Sequence, residues 1–182
     1  MTKELDEEQQ YEINEELRLE CYNLGNMKDI LRLIKKGADI HHLNEESMSS
    51  PLSVAASMNN VKLVEFFLKR GVSPKEHDNL ALEDASNYNC LECIELLIKN
   101  GAIVKDSVFQ NAYNSGNWEI VEYFVENFDI KISEEFFQRM KKDDMEFYTQ
   151  VSNLVKTRQL YNEINKELPI VENIDNQKKI KI

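Results

Sequence analysis

Residues 50–73, SPLSVAASMNNVKLVEFFLKRGVS, decide the fold. Ser50 is a good helix N-cap, and Pro51 suits the first helical position, where its missing N–H costs nothing. Leu52, Ala55 and Ala56 then put one large and two small residues on one face of a short helix. Asn59-Asn60 reads as a tight turn. Val64, Phe67 and Leu68 return apolar residues at helical spacing before Gly71, which can take the left-handed conformation that ends a helix. The stretch spells helix, turn, longer helix, glycine and loop. Such an antiparallel pair cannot bury its apolar face alone, so it demands stacked neighbours.

Those neighbours are present. The phrase EFFLKRGVS (65–73) returns as LRLIKKGAD (31–39), ELLIKNGAI (95–103) and EYFVENFDI (122–130). Cys21, Ala55, Ala85 and Ala112 occupy the first small position, at spacings of 34, 30 and 27 residues. Gly25-Asn26, Asn59-Asn60, Asn89-Cys90 and Gly116-Asn117 form the turns between helices, and Gly37, Gly71, Gly101 and Phe128 close the second helices.

With these anchors aligned, the chain resembles the ankyrin-repeat family, whose pattern is T-P-L-H-x-A-A, a turn, a V-V-x-L-L-L helix and G-A-D, with a period of about 33 residues. Ser50-Pro51-Leu52 stands for T-P-L, Ala55-Ala56 for the alanine pair and Gly71 for the terminal glycine. Ser53 replaces the family histidine, which weakens one loop-bracing hydrogen bond. The resemblance implies an all-α repeat solenoid with one full β-finger at residues 38–50, because the later loops are short. DNLALEDASNYNCLECIELLIKNGA (78–102) is similar to irregular repeats of giant amoeba viruses and other AT-rich viral or intracellular-bacterial proteins.

The expected organisation is a single domain over 1–168. An acidic cap helix covers about 3–16, and repeats cover 15–43, 44–75, 76–104 and 105–131. A degenerate fifth repeat and a C-terminal cap helix fill 132–168, the helix carrying Phe147, Val151, Leu154, Tyr161 and Leu168 and breaking before Pro169. Residues 169–182 lack a helical pattern and read as a disordered tail.

The 182 residues carry a net charge of −11, which disfavours direct nucleic-acid binding and favours a basic protein partner. No long apolar run or signal-peptide pattern is present, so no membrane association is expected. Three cysteines cannot build a disulfide framework, and a reducing compartment, the cytoplasm, follows (the host's, if the protein is viral).

Cys90-Leu91-Glu92-Cys93 is one CxxC, whereas structural zinc needs two ligand pairs, so both thiols are read as packing. His41-His42 reads as a solvated loop at the base of the finger. Scattered carboxylates such as Glu7, Glu8 and Asp143-Asp144 read as solvated faces. No phosphate loop, nucleophile elbow or HExxH occurs, and neither enzyme activity nor a cofactor or metal is expected.

In the family, the two residues after the alanine pair face the concave surface and bind the partner together with the finger tips. Carried over, the first column is Asn23, Ser57, Asn87 and Asn114, and the second is Leu24, Met58, Tyr88 and Ser115. The finger adds Leu43, Glu45, Glu46 and Met48, and Trp118 lies near the last turn, where packing into the stack is twice as expected as partner contact. Large apolar side chains in three successive repeats fit a protein partner, with burial against neighbouring repeats as the competing expectation. The function expected is protein–protein interaction, as an adaptor or effector. The alternative is an acidic inhibitor that mimics nucleic acid.

Overall fold

The computed structural model describes residues 5–23, 26–128, 130 and 132–167. Among them are ten α-helices and no β-strand: α1 Glu7–Tyr22, α2 Met27–Lys36, α3 Pro51–Ser57, α4 Val61–Lys69, α5 Glu76–Asn87, α6 Leu91–Lys99, α7 Asp106–Asn114, α8 Trp118–Asn127, α9 Glu134–Asp143 and α10 Met145–Glu167. The all-α stack expected from the sequence is therefore present.

The caps fall where the residue types require them. Ser50 accepts the Ser53 N–H at 3.2 Å and donates its own N–H to the Ser53 hydroxyl at 3.0 Å, a reciprocal capping box. Ser53 thus serves the start of its own helix. Asn26 and Asn60 cap α2 and α4 by accepting backbone N–H groups of the first turn. Gly37, Gly71 and Gly101 follow α2, α4 and α6 with φ of +110°, +92° and +102°, a region costly for any side chain.

The chain forms two compact units, one reaching to Val121 and one starting at Glu122. In the first, α3 packs against α1 and α5, and α5 packs against α7, which makes an inner row. Helices α2, α4 and α6 pack on α1, α3 and α5 as their outer partners, with α4 also on α6. Leu17, Cys21, Leu33, Ala55, Phe67, Leu82, Ala85, Ile94 and Leu97 are fully buried between them. Full burial of a side chain such as Phe67 stabilises by about 2–3 kcal/mol.

Helix α1 begins at Glu7 and runs unbroken to Cys21 and Tyr22, so the expected acidic cap and the first inner helix are one element. In the second unit α9 packs on α10, with Phe136, Met140, Phe147 and Val151 buried. Tyr161, assigned to the apolar side of the C-terminal helix, is instead exposed, because the buried pattern of α10 stops after Val151. Leu168 and the tail lie outside the described residues.

The links between repeats shorten along the chain. Gly37 to Ala55 spans 18 residues, Gly71 to Ala85 14, and Gly101 to Ala112 11. The longest forms the finger, closed by one antiparallel bridge between Asn44 and Ser49. The next replaces a finger with a left-handed turn within the start of α5, where His77, Asp78 and Asn79 have φ of +50°, +60° and +69° and interrupt the right-handed helix. Each such residue costs about 1–2 kcal/mol for a general side chain, and His, Asp and Asn are among the types that tolerate it best.

Candidate protein-interaction surface

Buried asparagines hold the links in place. Asn14 on α1 accepts the Asp39 N–H at 2.8 Å, and Asn79 accepts the Ile103 N–H at 2.9 Å. Each receives the residue two positions after a helix-ending glycine. The sequence reading missed both. A polar residue six or seven positions before the small residues Cys21 and Ala85 was the available signal.

The finger is fastened to α1 by side chains. Asn44 donates to the Tyr11 hydroxyl at 3.2 Å and accepts from the Ser47 N–H at 2.7 Å. Arg18 bonds Glu15 through two nitrogens and also donates to the Ser49 hydroxyl at 3.3 Å. His42 is not a solvated loop residue. It is half-buried, its ring edge-on to Tyr11 and its Nε2 3.7 Å from Glu15 Oε1. His41 is exposed, yet its Nδ1 lies 2.9 Å from Glu76, and the His77 ring bonds its carbonyl. Asp78 pairs with Lys105. Burial pushes the Glu15 carboxyl up, but hydrogen bonds from Arg18 and Asn44 and the Arg18 and His42 charges hold it below its usual range.

The sequence-derived surface residues divide by exposure. Tyr88 caps the end of α5 and stands 67% exposed, while Met58, at the end of α3, is half-buried. Leu24 lies outside the described residues. Ser57 donates its hydroxyl to the Val54 carbonyl at 2.9 Å. Asn87 is half-buried and accepts from Asn117 through its backbone at 2.8 Å. Asn114 is exposed. Trp118 is 41% exposed and packs edge-on to Tyr113 with ring centres 5.7 Å apart. On the finger, Glu45, Glu46 and Met48 are exposed and Leu43 is half-buried.

A carboxylate missed at the sequence level sits beside this column. Asp84, one turn before Tyr88 on α5, is half-buried next to Ser53 of α3. Burial raises its pKa from an ordinary 3.8 to about 6; the Ser53 hydrogen bond opposes the rise, and the nearby Glu83 adds to it. Among the described residues no lysine, arginine or histidine pairs with it. An acid beside the small residue Ala85, on a helix with no lysine or arginine, was the legible signal.

The CxxC thiols are packed. Cys93 is fully buried, and Cys90 precedes α6 with its thiol donating to the Ser57 carbonyl at 3.3 Å. Burial drives Cys21 and Cys93 up to about 12. No group of three or more metal-binding side chains occurs among the described residues, nor a helix long and apolar enough to cross a membrane.

A sequence model of ankyrin repeats (three copies) matches residues 17–108, half of the chain. A curated relative, the B-cell lymphoma 3 protein homolog of Mus musculus, is 30% identical over 95 residues, which cover 50% of this chain and 20% of the relative. The chain thus spans about a fifth of that relative's length. Ankyrin repeats are generic protein–protein interaction modules and generally non-enzymatic. The repeated helix pairs, their left-handed glycines and this match place the chain in the ankyrin-repeat family.

Proposed function

We propose that the chain is an adaptor or effector that grips a partner protein across the inner helices α3, α5 and α7 and the 38–50 finger, in the cytoplasm. The observation that carries this reading is Tyr88, a large aromatic left 67% exposed where α5 ends, in a row of inner helices whose finger also exposes Glu45 and Glu46. Exposed aromatics at the centre of a face are the side chains that most often dominate protein association. Glu45 and Glu46 supply charge at the rim, where they set association rate and partner choice. The test is retrieval of a partner by the wild-type chain and by the Met58→Ala, Tyr88→Ala double variant. Affinity should drop about tenfold or more with the unfolding transition unchanged. Equal affinity would mean that this face is the wrong one.

A second reading, an acidic inhibitor occupying a nucleic-acid site, is favoured by the net charge of −11 and by the concentration of glutamates on α1. It predicts binding that weakens steeply with salt and competes with DNA or RNA. Retention of the partner at high salt would count against it.

A further inference from the structure

Charge is sorted between the two sets of helices in the first unit. Helices α3, α5 and α7 have five acidic residues and no lysine or arginine, whereas α2, α4 and α6 have seven basic residues against four acidic ones. The contrast fades at α8, which carries three glutamates. The acids of the inner row are differently occupied. Asp78 is paired with Lys105, Glu76 contacts His41, and Glu83 accepts the Ser107 hydroxyl at 3.0 Å. Asp84 has the neutral Ser53 and the acid Glu83 near it and, among the described residues, no paired cation, in the seam where α3 packs on α5.

The walls of this seam are specific. Ser53 of α3, a small side chain, is the α3 residue beside Asp84, which is itself only half-buried. Tyr88 donates its N–H to the Asp84 carbonyl at 3.1 Å, which fixes the two residues one turn apart on one face of α5. A half-desolvated anion and an exposed aromatic ring on one helix face are complementary to one side chain in particular. A guanidinium can bond the carboxylate through its edge and stack its plane on the ring.

We infer that the α3–α5 seam takes an arginine side chain from a basic partner protein, its guanidinium on Asp84 and its flat face against Tyr88. This deepens the inner-helix reading above and rests on it. The arginine would supply the cation that α3, α5 and α7 do not carry.

The test uses the isotopically labelled full chain titrated with a blocked Gly-Arg repeat hexapeptide and with its Gly-Gln counterpart, followed by backbone amide shifts. Shifts should concentrate at residues 53–58 and 83–88 with the arginine peptide and be absent with glutamine. Asp84→Asn should weaken binding about fivefold and Tyr88→Ala about threefold, while a Glu7→Gln, Glu8→Gln control stays within about twofold. Because Asp84→Asn keeps the side-chain shape and removes a desolvated charge, loss of binding cannot be attributed to unfolding. Undiminished binding by Asp84→Asn, with shifts still on α3 and α5, would remove the arginine anchor and leave the inner face standing. Shifts centred on α1 or the outer helices, or no shifts, would also overturn the inference. The inner-face reading is judged separately by retrieval with the Met58 and Tyr88 variant.

Discussion

Glu15 and Asp84 are both half-buried carboxylates on inner helices, and their surroundings treat them oppositely. Glu15 is held by two Arg18 nitrogens, with His42 nearby, in a network that fastens the finger to α1. Asp84 lies in a seam with a serine and a second acid and, among the described residues, no paired cation. The first carboxylate is completed within the chain and serves the fold. The second is left incomplete, and an incomplete desolvated charge is a cost that folding alone does not justify.

That contrast can be broken from the Glu15 side first. Arg18→Ala strips the cation and the Ser49 link together, and should lower stability by about 2 kcal/mol in urea unfolding, since it strands a partly buried anion. A loss indistinguishable from zero would show that the finger does not depend on the pair. From the other side, Asp84→Asn should raise stability at pH 7.5 by about 1 kcal/mol, a value discounted for the solvent that still reaches the group.

The two groups also have opposite pH signs. Asp84's folded pKa is raised, so its favourable contribution is full below 3.8 and is lost as pH rises through about 6. Glu15's is depressed, so its contribution is present above 4.5 and is lost as pH falls through the lowered folded value. The Asp84→Asn gain should therefore vanish when unfolding is measured at pH 4, whereas the Arg18→Ala loss should shrink only in stronger acid. A gain from Asp84→Asn that is constant over this range would place the carboxylate in solvent. The smallest effect belongs to the exposed Glu65–Lys69 pair, where Lys69→Ala should leave the unfolding midpoint unmoved.

The parts of this molecule that were legible in its sequence are those that repeat. Ser50-Pro51, the small residues Ala55 and Ala85, and the glycines at 37, 71 and 101 each impose a local conformation, and their recurrence fixed the stack. The surface was less legible because it depends on what neighbours leave uncovered. The columns taken two places beyond the alanine pair located Tyr88 in solvent. They could not reveal that Met58 is half-buried, that Ser57 bonds the Val54 carbonyl or that Asn87 is engaged by Asn117 and Ser115, since each outcome is set by contacts more distant in the chain or by a turn geometry. His42 failed for the same reason, as its neighbours Tyr11 and Glu15 come from another helix. Asp84 was missed because its meaning lies in the absence of a cation nearby, which no single helix displays.

The left-handed turn at His77–Asn79 also governs how this array can vary in length. It lets the link after Gly71 run four residues shorter than the link after Gly37 while Ala85 still reaches the same buried place as Ala55. The shortening is taken up at these three residues in the start of α5, and Ala85 keeps its buried place. Links of 18 and 14 residues thus deliver Ala55 and Ala85 to fully buried positions, so the repeat core keeps its register while the surface between repeats changes.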